Sequence, residues 1–241
     1  MRSTARITRP LPGTVRDPLY PDSDGKPMSE TDFHSFAMVL LHQAVMDFFH
    51  ADPHVYVGMN LLFYFRRGDP RGRRDPDVLV ARGVVGKHMR RSYRLWEEGV
   101  LPCTLFEISS GRTWRTDIGA KRRLYARLNV PEYFVFDPEG GFLDPVLRGF
   151  CTVDGRSVEM TPAADGSLDS AQLGLRLMPE GPMLRLHDLR TGEPVLTRAE
   201  QVEAQREQAA EQIEAERRRT AERDTEIERL RAELVRRSRR K

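Results

Sequence analysis

Cysteine is nearly absent. Cys103 and Cys151 are the two in 241 residues, and each lies next to an apolar run, which suits a buried free thiol better than a disulfide. There is no CxxC and no Cys/His grouping of zinc spacing, so neither a structural zinc site nor a dithiol redox motif is indicated. Long apolar runs are missing too: nothing approaches the roughly 18 residues that would span a bilayer. The polar, proline-bearing N-terminus lacks the charged-then-apolar order of a secretory signal. Together these absences point to the reducing cytoplasm and away from a membrane. Charge imbalance is also slight. Residues 1–197 hold 26 Lys+Arg against 25 Asp+Glu, and residues 198–241 hold 13 against 11. Composition alone therefore does not announce a nucleic-acid binder.

What is present is concentrated between Asp75 and Tyr125. Asp77 opens a short apolar run, Val78 to Ala81, that reads as a buried strand. Glu107 lies inside a second such run, Thr104 to Ile108. Lys121 interrupts the apolar stripe of a helix at Ile118, Tyr125 and Leu128. A lysine in a core stripe and a glutamate in a core strand are each costly to bury alone. A structural Glu–Lys ion pair is one way to offset that cost, and a shared metal ion is another.

In chain order, residues 1–28 read as an irregular arm with five prolines and the turn Asp24-Gly25. Ser29 is expected to start a helix that runs to about His50, with an apolar stripe from Phe33 and Phe36 to Val45 and Phe48. His34 and His42 on this helix are eight residues apart and read as surface or packing residues. Val55 to Phe65 reads as a first long strand, Arg66 to Arg74 as a turn, and Asp77 to Ala81 as a second strand. Gly83 to Leu101 is ambiguous between a short helix and a flap. Cys103 to Ser109 reads as a strand, Thr113 or Thr116 to Leu128 as a helix, and Glu132 to Phe136 as a further strand. A helix between two strands suits a crossover that joins parallel strands. Residues 142–190 read as hairpins that finish the sheet. The domain limits are thus an arm over 1–28, an α/β domain over 29–196 and a tail over 197–241.

The tail is rich in Glu, Arg, Ala and Gln. With Ile213, Thr220, Ile227 and Leu234 at heptad position a, Val202, Ala209, Glu216, Arg223 and Leu230 fall at d. The pattern predicts a long solvated helix or weak coiled coil, and with it a homo-oligomer.

Strand alternation puts Asp77 and Leu79 on one face, and Glu107 with Leu105 and Ser109 on one face. If the two strands are neighbours, the carboxylates can share a hard divalent cation such as Mg²⁺ or Mn²⁺, with the Ile108 backbone carbonyl as a third ligand. Such an ion polarises a phosphoryl oxygen, and an ammonium beside it stabilises developing charge. A glycosidase carboxylate pair does not explain the lysine, and no Ser or Cys nucleophile has motif support. Arg73, Arg74, Arg90 and Arg91 flank the acidic positions as a phosphate-tracking rim would.

Pro76-Asp77 followed by Glu107-Ile108-Ser109 resembles the PD-(D/E)XK nuclease superfamily. The wider block of Glu107, Ser110, Asp117, Lys121, Tyr125 and the VPEYFVFDP segment, with the helix carrying His34, resembles its Uma2 (DUF820) branch over roughly residues 28–190. The superfamily lysine belongs two residues after the glutamate, where this chain has Ser109, and Lys121 on the following helix stands in for it. The resemblance implies a restriction-endonuclease-like α/β fold with a mixed central sheet, Mg²⁺, and phosphodiester hydrolysis on DNA. It also implies catalytic Asp77, Glu107 and Lys121, supported by Asp117, Tyr125 and His34. The alternative is a catalytically idle binding or assembly module that uses the same groove and the helical tail.

Overall fold

A computed structural model describes residues 11–23 and 31–238. It separates into two compact units, one ending at Val195 and the other beginning at Leu196. The expected turn at Asp24-Gly25, the helix start at Ser29 and the last three basic residues lie outside the described residues.

Helix α1 spans Asp32–Phe48, and Thr31 caps it by accepting the His34 backbone N–H. Its buried residues are His34, Ala37, Met38, Leu41, Ala44 and Val45. Phe33 and Phe36, expected in the buried stripe, are about half exposed instead. The face that packs carries Ala37, Met38, Leu41, Ala44 and Val45.

The expected strand over 55–65 is two strands. β1 covers Val55–Met59 and β2 covers Phe63–Tyr64. Asn60 breaks the run with a left-handed φ of 51°, a conformation asparagine tolerates better than most residues. β3 (Arg73–Arg74) and β5 (Tyr93–Arg94) flank β2 in a small separate sheet. β4 is Val78–Arg82, and α2 is a single turn, Leu95–Glu98. The ambiguous stretch from 83 to 101 thus holds a short strand and a short helix.

The main sheet has six strands in the order β1-β4-β6-β7-β8-β9. Here β6 is Thr104–Ile108, β7 is Glu132–Phe136, β8 is Leu147–Val153 and β9 is Arg156–Glu159. β6 pairs antiparallel with β4 and parallel with β7, so the sheet is mixed, as expected. The helix between β6 and β7 is the crossover that their parallel pairing requires. The hairpin expectation for residues 142–190 holds only in part. β8 and β9 extend the main sheet, while β10 (Leu168–Ser170), β11 (Leu175–Glu180) and β12 (Met183–Asp188) form a sheet of their own.

Every residue of β6 and β7 is buried, which explains their near-continuous apolar sequence. Val78, Val80, Phe106, Ile108, Phe134 and Phe136 share a core with Leu41 and Val45 of α1 and Leu177 and Leu186 of the three-stranded sheet. Leu79, Leu105, Tyr133 and Val135 share a second core with Phe63, Tyr93 and Tyr125. Each fully buried leucine or phenylalanine contributes about 1.5–3 kcal/mol. Among the described residues no helix is long and apolar enough to cross a membrane. The second unit is one helix, α5, Arg198–Ser238.

Candidate active site

The antiparallel register pairs Val78 with Phe106, so Asp77, one residue before β4, stands beside Glu107 of β6. The Asp77 position is tied down twice. Its backbone carbonyl accepts the Asn60 N–H at 3.0 Å, and its Oδ2 accepts the Ile108 N–H at 2.6 Å. The left-handed turn at Asn60 therefore serves the site as well as ending β1. His34 reaches the same carboxylate from α1, with Nε2 3.5 Å from Oδ2. The histidine read from spacing as a surface or packing residue is buried at the site.

Glu107 shares the sheet face of Leu105 and points toward the crossover helix. That helix is not uniform: α3 (Trp114–Thr116) leads into a π-helical turn, Asp117–Lys121, and then α4, Arg122–Arg127. The Arg122 N–H bonds to the Asp117 carbonyl, closing the wide turn. Such turns recur where a helix must aim particular side chains. Here Lys121 Nζ lies 2.8 Å from Glu107 Oε2 and 3.1 Å from Asp117 Oδ1. Tyr125, one turn further, donates its hydroxyl to Glu107 Oε1 at 3.1 Å.

Asp117 is buried and held from two strands. Ser109 Oγ donates to its Oδ2 at 2.8 Å, and Tyr133 Oη donates to its backbone carbonyl at 3.1 Å. Ser109, where the resemblance led to the expectation of a lysine, thus holds the carboxylate that holds Lys121. Its sharing a face with Glu107 was the sequence signal for this contact. Nothing in the sequence pointed to the π-turn, and Tyr133 entered only within the VPEYFVFDP segment, without a role of its own.

The electrostatics follow from three carboxylates gathered around one ammonium at low exposure. Burial pushes the Glu107 carboxyl well above its usual range; Lys121 opposes that shift, and Asp77 and Asp117 add to it. Burial disfavours charge on Lys121 as well, but Glu107 and Asp117 outweigh it and hold the ammonium protonated. Burial and the neighbouring Glu107 also raise Tyr125, keeping it a hydrogen-bond donor. Among the described residues, no three His, Cys, Asp or Glu side chains are grouped so as to hold a metal ion by themselves.

The basic rim needs correction. Arg90 is fully buried in a bidentate pair with Glu98, at 2.6 and 3.0 Å. Its guanidinium also lies 4.0 Å over the Tyr56 ring. A guanidinium so neutralised and enclosed cannot track phosphates. Arg91 is exposed but pairs with Asp22 at 3.0 Å. Arg73 is half-buried, bonded to the Pro70 carbonyl and set over the Tyr64 ring. Arg74 is half-buried and close enough to act electrostatically on Tyr125. The Arg74 charge acts on Tyr125, which donates to Glu107.

A family model named Uma2, described as "Putative restriction endonuclease", matches residues 16–177. No curated protein matches the chain. Among solved structures, a DUF820 "putative nuclease" from Anabaena variabilis ATCC 29413 aligns with a TM-score of 0.45 and 15% identity. That alignment covers 61% of this chain and 76% of the other.

Proposed function

The chain belongs to the Uma2 family, a family of restriction-endonuclease type, and from that premise we propose that the Asp77–Glu107–Lys121 cluster hydrolyses phosphodiester bonds in DNA with a divalent cation. The observation that carries this reading is the convergence of Glu107 and Asp117 within 3.1 Å of the Lys121 ammonium, beside Asp77. Burial holds the Glu107 carboxyl toward its neutral form, and a divalent cation beside it would supply the positive charge that favours the carboxylate able to bind the ion. The donors are hard oxygens, which suits Mg²⁺ or Mn²⁺, ions that need few protein ligands because they retain waters. Asp77, Glu107 and the Ile108 carbonyl would hold the ion. Bound there, it would supply polarisation of a phosphoryl oxygen and a bound water of lowered pKa.

The remaining work falls to side chains. Lys121 presents a fixed positive charge to the anionic phosphate, preorganised by Glu107 and Asp117. Ser109 and Tyr133 hold Asp117, Tyr125 fixes one oxygen of Glu107, and His34 and the Ile108 N–H fix Asp77. Arg74 adds positive potential at the rim. Free Cys103 and Cys151 suit a reducing cytoplasm. An idle binding module explains the Glu107–Lys121 pair as structural. It does not explain why two further carboxylates are gathered at the same place, since each costs free energy to bury.

Incubation with plasmid, single-stranded DNA and RNA, in Mg²⁺, Mn²⁺ or chelator, tests the reading. Cleavage of DNA that needs metal and disappears in Asp77→Ala and Glu107→Ala is the expected result. Full activity in both variants would overturn it.

A further inference from the structure

Helix α5 carries an apolar line that its own unit leaves uncovered. Val202, Ile213, Ile227 and Leu230 are each about half exposed, and all four fall on positions a and d of the single heptad frame described above. The other positions from 198 to 232 hold only polar, charged or alanine residues. We propose that this line is covered by the same helix of a second copy of the chain, running parallel and in register.

Charge complementarity selects that partner and that direction. In a parallel pair each g residue faces the e residue five positions on in the second copy. The g positions are Arg198, Gln205, Gln212, Arg219, Glu226 and Glu233, and the e positions are Glu203, Ala210, Arg217, Asp224, Arg231 and Ser238. Three facing pairs are charged on both sides: Arg198–Glu203, Arg219–Asp224 and Glu226–Arg231. All three are opposite in sign, each occurs twice by symmetry, and no like-charged g–e pair arises. A fully overlapped antiparallel pair keeps one opposite pairing, Glu203–Arg231, but is otherwise unfavourable. It sets Arg217 and Arg219 against their own counterparts, Ile213 against Arg223, and Leu230 against Arg206.

The parallel arrangement has a weak middle. Arg206, Glu216 and Arg223 occupy seam positions and meet their own counterparts there. Their long side chains can turn outward while the stems cover the seam, so the pairing holds at its two apolar ends.

Sedimentation equilibrium of the full chain, with oxidative cross-linking of Ile227→Cys, tests this directly and needs no nuclease activity. The expected results are a dimer at micromolar concentration and a disulfide-linked dimer of Ile227→Cys under an oxidant that leaves the wild type unlinked. Glu226→Arg alone and Arg231→Glu alone should each weaken association roughly tenfold, because two attractive pairs become repulsive. The double exchange should restore it. A monomer at every concentration overturns the proposal. So does a dimer in which only the Ala209→Cys/Ile227→Cys variant cross-links, or a double exchange no tighter than the single variants.

Discussion

Lys121→Met keeps an unbranched stem of similar length and removes the ammonium. In the wild type that ammonium sits 2.8 Å from Glu107 and 3.1 Å from Asp117, whose side chains are 3% and 1% exposed. Its loss leaves two enclosed carboxylates without their common countercharge, which should destabilise the metal-free fold by roughly 3–5 kcal/mol. A divalent ion at about one hundred times its dissociation constant would return about 2.7 kcal/mol, so most of the lost stability should reappear in Mg²⁺. Cleavage should not return with it. The fixed charge facing the phosphate is gone, and loss of one preorganised donor of this kind costs about 10²–10³ in rate. Urea denaturation and plasmid cleavage, each with Mg²⁺ and with chelator, separate the two effects. Near-wild-type cleavage in Mg²⁺ would refute the catalytic role. Unchanged stability in chelator would refute the reading of Lys121 as the compensating charge.

Asp77→Asn retains an oxygen that can accept the Ile108 N–H but loses the ligand charge. DNA cleavage should vanish while the urea midpoint stays close to that of the wild type. Glu98→Gln should strand the buried Arg90 guanidinium and cost roughly 3–5 kcal/mol, with cleavage per folded molecule unchanged; denaturation and activity of one preparation check both halves. The pH dependence follows from Glu107, which burial lifts well above its ordinary value of 4.5. The folded state then keeps a proton that the unfolded chain has released. The resulting stabilisation is complete below about pH 4.5 and is lost as pH rises through the folded value. Urea midpoints in chelator should therefore show a contribution that grows as pH falls from 8 toward 5, larger in Lys121→Met. A contribution of the opposite sign would contradict the buried cluster.

The sequence by itself determined the secondary-structure order around the site. Val78 to Ala81 and Thr104 to Ile108 are short apolar runs that pack on both sides, so only interior strands suit them. The same alternation placed Asp77 with Leu79 and Glu107 with Leu105, and the antiparallel register of β4 and β6 then brought the two together. The stripe of Ile118, Tyr125 and Leu128 likewise turned Lys121 inward, because helical periodicity is a local property. Tertiary structure decided the rest, for reasons no local pattern carries. The break at Asn60 is a single left-handed residue inside an otherwise strand-like run, and it matters because its N–H ties down Asp77. The π-turn over Asp117–Lys121 becomes visible only when Glu107 and Ser109 are in place to hold its side chains and Tyr133 its backbone. Arg90 looked like any surface arginine in a basic cluster until folding enclosed it with Glu98 and Tyr56. A charged residue's role depends on which countercharge the fold brings to it, and burial sets how much that countercharge is worth.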